Sequence, residues 1–161
     1  MRFRNYKKGI GLVEVIVAVF ILTIVLSSLF TINNLYLKSS LGNIKSTKGA
    51  YLASEAVEAV KTIRDSGWSN IVNIANNTDY YLYFNNETSV WVATSSIQAI
   101  DGFSRKFKIN NVYRDASGDI SNAGTVDPNT KKLETFVSWH ASSGQIVEKS
   151  LITYISNIFE D

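Results

Sequence analysis

The residues whose types and spacing suggest chemistry lie close together near the start of the chain. Gly9 follows a basic head, and Glu14 is the one acidic residue at the front of a long apolar run. A charge inside a membrane segment costs about 3 kcal/mol on insertion scales and usually has a partner and a function. One interpretation places Glu14 near the cytoplasmic interface, where the cost is modest. The other interpretation is an ion pair.

An ion-pair partner for Glu14 becomes available if the chain is cut after Gly9. Cleavage there creates a new α-amino group on Ile10, which lies four residues before Glu14 and on the same face of a helix. A positive amine and a negative carboxylate neutralise one another in an apolar environment. The amine belongs either to the same chain or to a neighbouring subunit, and the spacing alone leaves both possibilities open.

These residues are positioned by an apolar segment from Ile10 to Ile32, which we predict to be a helix. No charged side chain occurs from Val15 to Leu37. The helix is roughly 35 Å long, enough to cross a hydrocarbon core of about 30 Å. A secretory signal peptide fits less well, because its apolar region is usually about 7–15 residues long and precedes a small-residue cleavage site.

Composition excludes several functional classes. The chain has 161 residues and no Cys, so disulfides, thiol nucleophiles and thiolate metal sites are impossible. The net charge of +2 depends on Arg2, Arg4, Lys7 and Lys8; without these four, 12 of the 16 basic side chains remain against 14 acidic ones. The body is therefore slightly acidic and lacks the charge pattern of a nucleic-acid binder. The early positive charges predict a cytoplasmic N-terminus.

The heptapeptide KGIGLVE (residues 8–14), followed by the apolar segment, resembles the class III signal of type IV prepilins and pseudopilins. The resemblance implies that a prepilin peptidase cuts after Gly9 and methylates Ile10. It also implies that Glu14, the fifth mature residue, pairs with a neighbouring subunit's terminal amine during assembly. The family prefers Phe and then Thr or Ser at the first two mature positions, where this chain has Ile10 and Gly11.

The rest of the helix is predicted from a second, amphipathic stretch. Residues 50–64 carry apolar side chains at three-to-four spacing, and Gly67 suits a helix C-cap. We expect one long helix from about Ile10 to Asp65. Gly42 and Gly49 lie in its middle, and the sequence is compatible there with a kink, a flexible neck or a continuous helix.

Short β-rich runs follow, and they predict an α+β fold in which the long N-terminal helix packs on a small antiparallel β-sheet domain. The expected strands are Tyr80–Phe84, Val90–Ala93, Phe103–Tyr113, Leu133–Trp139 and Gln145–Ile155, with a loop at Asp115–Thr130. The predicted organisation is a leader at 1–9, a transmembrane or assembly helix at 10–37, a neck and amphipathic helix at 38–66, and the sheet domain at 67–161.

Other candidate sites are weaker. Some pseudopilins bind calcium in a loop near the C-terminus, which makes Asp115, Asp119 and Asp127 calcium candidates; the alternative is that these residues only form turns. We otherwise expect no metal and no cofactor. A basic patch could be formed by Arg105, Lys106, Lys108, Lys131 and Lys132. A surface on which a ligand stacks could be formed by Trp68, Trp91 and Trp139. We expect His140 to be a solvated residue at a strand end. A solvated strand face and core packing are the alternatives for the first two.

The functional hypothesis is a structural subunit, a minor pilin or pseudopilin, and not an enzyme. The resemblance implies as partners the prepilin peptidase, other pilin or pseudopilin subunits, an inner-membrane assembly platform and membrane lipid before assembly, with no nucleic acid. The subunit would cross the inner membrane once, with its C-terminal domain outside, and later join a cell-surface or periplasmic filament. The alternative hypothesis is an uncleaved, signal-anchored extracytoplasmic domain that binds a glycan or another polymer.

Overall fold

The computed structural model describes residues 11–141 and 143–159. The predicted cleavage and methylation residues, Gly9 and Ile10, lie outside the described residues. The chain forms two compact units, the first ending at Leu41 and the second beginning at Gly42. Helix α1 (Leu12–Asp65) contributes to both units and runs without interruption through Gly42 and Gly49.

In the first unit, the described residues form the front of α1. Its hydroxyl groups hydrogen-bond to carbonyl oxygens one turn earlier in the same helix: Thr23 Oγ1 donates to Val19 O at 3.0 Å and Ser27 Oγ donates to Thr23 O at 2.8 Å. Ser28 and Thr31 do the same. Because these polar groups are satisfied inside the helix, they need no water, and the segment suits an apolar environment.

In the second unit, the rear of α1 packs on the sheet through small residues. Its buried positions are Gly49, Ala53, Ala56, Val57, Ala59 and Val60. This is the three-to-four spacing expected of an amphipathic helix. Gly49 permits the closest approach, because a Cβ at this position would lie 2.6 Å from the Trp139 ring. Gly49, one of the two glycines at which the sequence was compatible with a kink or a flexible neck, is therefore a packing position in a continuous helix.

Helix α1 ends where the sequence predicts. Gly67 has a φ of +142°, and its N–H donates to the Arg64 carbonyl at 2.8 Å. A short helix that the sequence analysis did not predict, α2 (Ser69–Val72), follows and buries Ile71 completely.

The β-strands form one antiparallel sheet, which confirms the predicted α+β fold. The main order is β2-β1-β4-β6-β7, and β3 and β5 are short strands that pair with β4. The strand bounds are β1 (Tyr80–Asn85), β2 (Val90–Thr94), β3 (Ala99–Ile100), β4 (Phe103–Arg114), β5 (Ile120–Ser121), β6 (Thr125–His140) and β7 (Ile146–Ser156).

The expectation of a loop at Asp115–Thr130 was wrong, because β5 and the start of β6 lie within this range. A bulge at Asn111/Val112 shifts the register, so that Val112 pairs with Asp127 whereas Asn111 pairs with Lys131. The intervening Pro128 has no N–H and lies outside the β4–β6 ladder, where none is required. The Asp, Gly, Ser, Asn and Pro residues of this stretch are typical of turns, and they concealed both strand segments in the sequence.

The core lies between the inner face of the sheet and the rear of α1. Its larger cluster comprises Ala56, Val57, Ala59, Val60, Ile71, Leu82, Phe107, Ile109, Leu133 and Ile155. A smaller cluster comprises Ala53, Phe103, Val137 and Trp139. Every residue of both clusters belongs to the second unit.

Candidate functional site

Glu14 lies in the first turn of α1. A carboxylate at this end of a helix interacts favourably with the positive end of the helix dipole. Its backbone N–H donates to Gly11 O at 2.9 Å, and its side chain is exposed. Among the described residues, no side chain pairs with the Glu14 carboxylate, so it is free to accept a partner.

The apolar side chains around Glu14 are exposed on every face of the helix. From Leu12 to Leu37 none is buried, and Phe20 and Phe30 are about two-thirds exposed, at 65% and 69%. Apolar surface of this extent requires lipid or other protein around it. In the part of the chain that the structure describes, α1 is the one helix long and apolar enough to cross a membrane, by length and composition.

The five basic residues considered as a patch do not form one. Arg105 and Lys131 are buried, and this corrects the expectation of a solvated strand face for these two. Lys131 Nζ donates to Asn111 Oδ1 at 2.5 Å. Lys106 and Lys108 lie 3.1 Å and 3.4 Å from the carboxylate of Asp79. Lys132 lies 2.6 Å from Glu134. Each of these four lysines therefore contacts a polar or acidic side chain of the protein.

Arg105 connects the sheet to the helix. It extends from the inner face of β4, with its Nη1 atom 2.9 Å from Oε2 of Glu55 on α1, although the two are not aligned as a hydrogen bond. Its guanidinium carbon lies 5.1 Å from the ring centroid of Trp91, a cation–π distance. Sequence reasoning missed this contact, because an arginine in an alternating strand is usually solvated.

Two of the three calcium candidates, Asp115 and Asp127, have carboxylates that are occupied by contacts within the protein. Asp115 Oδ1 accepts hydrogen bonds from the backbone N–H groups of Ser117 and Asp119, at 2.9 Å and 3.0 Å. Asp127 Oδ2 accepts from Arg114 Nε at 2.6 Å. These contacts are those of a turn and an ion pair. Among the described residues, no group of three His, Asp or Glu side chains is placed to hold a metal ion.

The three tryptophans contact other residues of the protein, whereas the side chain of the histidine is exposed. Trp139 is buried against Gly49, and Trp68 Nε1 donates to Pro128 O at 3.2 Å. Trp91 covers Arg105. His140 ends β6 with an exposed side chain, while its carbonyl accepts from Lys45 Nζ at 3.0 Å. No surface that unites the three tryptophans is present in the described residues.

Comparison with known families identifies the N-terminal segment. Residues 4–30 match the family described as the prokaryotic N-terminal methylation motif. This range contains Gly9, Ile10, Glu14 and most of the apolar run. The chain therefore carries a type IV prepilin-like class III signal peptide, and this motif supports a type IV pilin-like protein. Comparisons of the chain with curated proteins and with solved structures gave no match.

Proposed function

We propose that this protein is a structural subunit, a minor pilin or pseudopilin, of a type IV pilus or a type II secretion-like filament. The match of residues 4–30 to the methylation motif carries the proposal. The helix that follows is apolar and exposed over its whole front part, as a segment that exchanges lipid for neighbouring helices must be. The role is assembly, not catalysis.

The proposed mechanism has a membrane stage and a filament stage. The basic head keeps the N-terminus in the cytoplasm while the apolar helix spans the inner membrane. Prepilin peptidase cuts after Gly9 and methylates the new amine of Ile10. The apolar helix then enters a bundle of identical or related helices, and the sheet domain is displayed outside.

Glu14 sets the register between subunits in this mechanism. A carboxylate in an apolar bundle is strongly unfavourable unless it is paired. The terminal amine of a neighbouring subunit supplies that charge at one axial position. The exposed side chain of Glu14 makes its carboxylate accessible to another subunit.

The position of the core supports a change of environment for the front helix. Among the residues that the structure describes, no core residue precedes Gly49. Moving residues 12–37 from lipid into a helix bundle therefore removes no contact from the hydrophobic core. The sheet domain keeps the same fold before and after assembly.

Processing is tested at Gly9, with Gly11 as the matched control. We expect the mature wild-type protein to begin at Ile10, with or without an added methyl group, by intact mass. Gly9→Val blocks cleavage and leaves the mass of the full chain, as in cells without the peptidase. Gly11→Ala should be processed, because it leaves Gly9 unchanged, and the Cβ that it adds has no atom within 4 Å among the described residues.

Normal processing of Gly9→Val would contradict the assignment. A wild-type protein that retains Met1 in peptidase-positive cells would favour the uncleaved, signal-anchored binding domain instead.

A further inference from the structure

A polar cleft of about 540 Å³ lies on the face of the sheet turned away from α1. Its floor is formed by three residues that pair across neighbouring strands, Asn110 of β4, Lys132 of β6 and Tyr154 of β7. On each strand the adjacent residue belongs to the core, so these three side chains lie on the opposite face. The register shift between β4 and β6 and the short strand β5 bring Tyr113 and Asn122 to its wall. We call this the sheet cleft.

The sheet cleft presents no free charge. Lys132 is its one charged lining residue, and its Nζ lies 2.6 Å from Glu134 Oε1. The hydrogen bond to Glu134 raises the pKa of Lys132, so the ion pair is maintained at neutral pH. A ligand that depends on charge, such as a phosphate or a nucleic acid, finds no unpaired cation there.

The cleft does present unused hydrogen-bonding groups. Within the described part of the chain, the side chains of Asn110 and Asn122 and the hydroxyls of Tyr113 and Tyr154 have no hydrogen-bond partner. An amide offers donors and an acceptor side by side, and a phenol offers one of each. This set complements adjacent hydroxyl groups, which are themselves both donors and acceptors.

The same cleft offers apolar surface beside these polar groups. Tyr154 is 48% exposed and Ile120 is 47% exposed. Aromatic rings combine a large apolar face with a polar tip. A pyranose ring has the complementary surface, because its C–H groups form an apolar face and its hydroxyls form a polar edge.

A peptide strand fits this place less well. Strand addition needs a free sheet edge, since main-chain hydrogen bonds supply the affinity. The central strand of the cleft floor, β6, is paired on one side with β4 and on the other with β7. Within the described residues, strand β7 has a free edge, but its backbone groups point along the plane of the sheet, so the face that forms the floor offers side chains to a ligand.

From these observations we infer that the sheet cleft binds a neutral saccharide through its asparagine amides and tyrosine rings. The site lies on the outer face of the domain and uses no residue of the apolar helix. Saccharide binding is therefore independent of leader cleavage and is measurable on the unassembled subunit.

The test uses the full chain in a zwitterionic detergent without a sugar headgroup, because a glycoside detergent would compete. Maltotetraose, cellotetraose and chitotetraose are titrated separately by calorimetry. We expect saturable binding of at least one of them. Tyr154→Ala and Asn122→Ala are each expected to weaken it by about tenfold or more, since each removes a ligand contact.

Matched controls separate the cleft from the general surface. Tyr51→Ala on α1 and Asn86→Ala in the β1–β2 turn remove exposed residues of the same types elsewhere, and they should leave the affinity unchanged. Thermal unfolding of each variant verifies that the fold is retained. Absence of binding to all three oligosaccharides would overturn the inference. Unchanged affinity in both cleft variants, or binding only of a sulfated heparin tetrasaccharide or a neutral tetrapeptide, would overturn it equally.

Discussion

At the scale of single residues, two glycines of the same helix have opposite environments. No atom lies within 4 Å of a Cβ added at Gly42, whereas a Cβ added at Gly49 would meet three carbons of the Trp139 ring. That ring is held in place, since it is buried and lies 5.5 Å from the Phe103 ring, centroid to centroid. The same Gly→Ala substitution is therefore expected to change stability differently at the two positions.

Alanine substitutions at Gly42 and Gly49 separate the effect of helix propensity from the effect of packing against Trp139. Gly42→Ala should stabilise the protein by about 0.5–1 kcal/mol, because alanine has the better helix propensity. Gly49→Ala should destabilise it by about 1–3 kcal/mol, because the added methyl group overpacks the contact with Trp139. Thermal unfolding of both variants in detergent measures the difference. Equal stabilisation by both would show that the helix does not approach Trp139 closely.

Glu14 is tested by removing its charge and keeping its shape. Glu14→Gln should be cleaved normally but incorporated into filaments at a level several-fold below wild type, because the amide cannot neutralise a neighbouring amine. Immunoblots of sheared filament and membrane fractions measure this. Glu87→Gln, the same change at an exposed turn position, is the control. Wild-type incorporation of Glu14→Gln would rule out a register role.

Asp127 predicts a dependence of stability on pH. Burial raises its pKa, but hydrogen bonds from Thr130, Arg114 and the Asn129 backbone outweigh burial and hold the pKa below the ordinary value of an aspartate. A lowered carboxylate pKa stabilises the fold fully above the unfolded-state value, and the stabilisation is lost as the pH falls from there through the folded-state pKa.

Asp127→Asn should therefore reduce stability at pH 7 and flatten the loss of stability below about pH 4. Asp119→Asn is the control, since the Asp119 carboxylate makes no hydrogen bond among the described residues. Unfolding by urea across this pH range compares the two variants with wild type. An unchanged acid limb in Asp127→Asn would contradict the prediction.

At the scale of secondary structure elements, the rear of α1 is joined to the sheet by apolar packing and by one buried cation. Arg105 is 3% exposed, and its Nε has no hydrogen-bond partner among the described residues. Its charge is balanced by Glu55, whose side chain is 47% exposed. This contact fixes the helix relative to β4 and β2 within the second unit.

Removing the carboxylate at Glu55 leaves the buried cation without its counter-charge. Glu55→Gln should destabilise the protein by about 1–3 kcal/mol, toward the lower end because Glu55 is half exposed. Glu58→Gln, which breaks only the exposed pair with Lys61, should change stability by less than about 1 kcal/mol. Denaturant unfolding of the two variants distinguishes them. Equal effects would mean that Arg105 is solvated.

At the scale of the whole molecule, the two units have different requirements. The described part of the first unit buries no side chain, whereas the second unit contains the entire described core. The first unit therefore depends on lipid or other subunits, and the second is stabilised by its own packing.

Truncation tests this division. A chain that begins at Gly42 should fold and remain soluble without detergent, because it keeps both core clusters and loses the apolar helix front. A chain that begins at Glu58 should aggregate, because it also loses Gly49, Ala53, Ala56 and Val57. Circular dichroism and gel filtration measure both. A Gly42 chain that is unfolded would show that the domain needs the front helix.

Local patterns in the sequence were sufficient to predict the signal segment, the buried face of the helix and a strand. The basic head, Gly9, the spacing to Glu14 and the uncharged run are contiguous, so they identify the signal segment without a structure. The apolar spacing of residues 50–64 and the alternation of Phe103, Phe107 and Ile109 likewise predicted the helix face and a strand, because each depends on a short-range period.

The tertiary structure decided what depends on residues far apart in the chain. Gly49 proved to be a packing position only because Trp139, ninety residues away, lies against it. Arg105 is buried because Glu55 and Trp91 meet it. Residues 125–127 belong to a strand because they pair with residues 112–114 of β4 beyond the register shift. The sheet cleft exists because three strands place Asn110, Lys132 and Tyr154 side by side. Such contacts follow from the packing of the whole domain, and no local period records them.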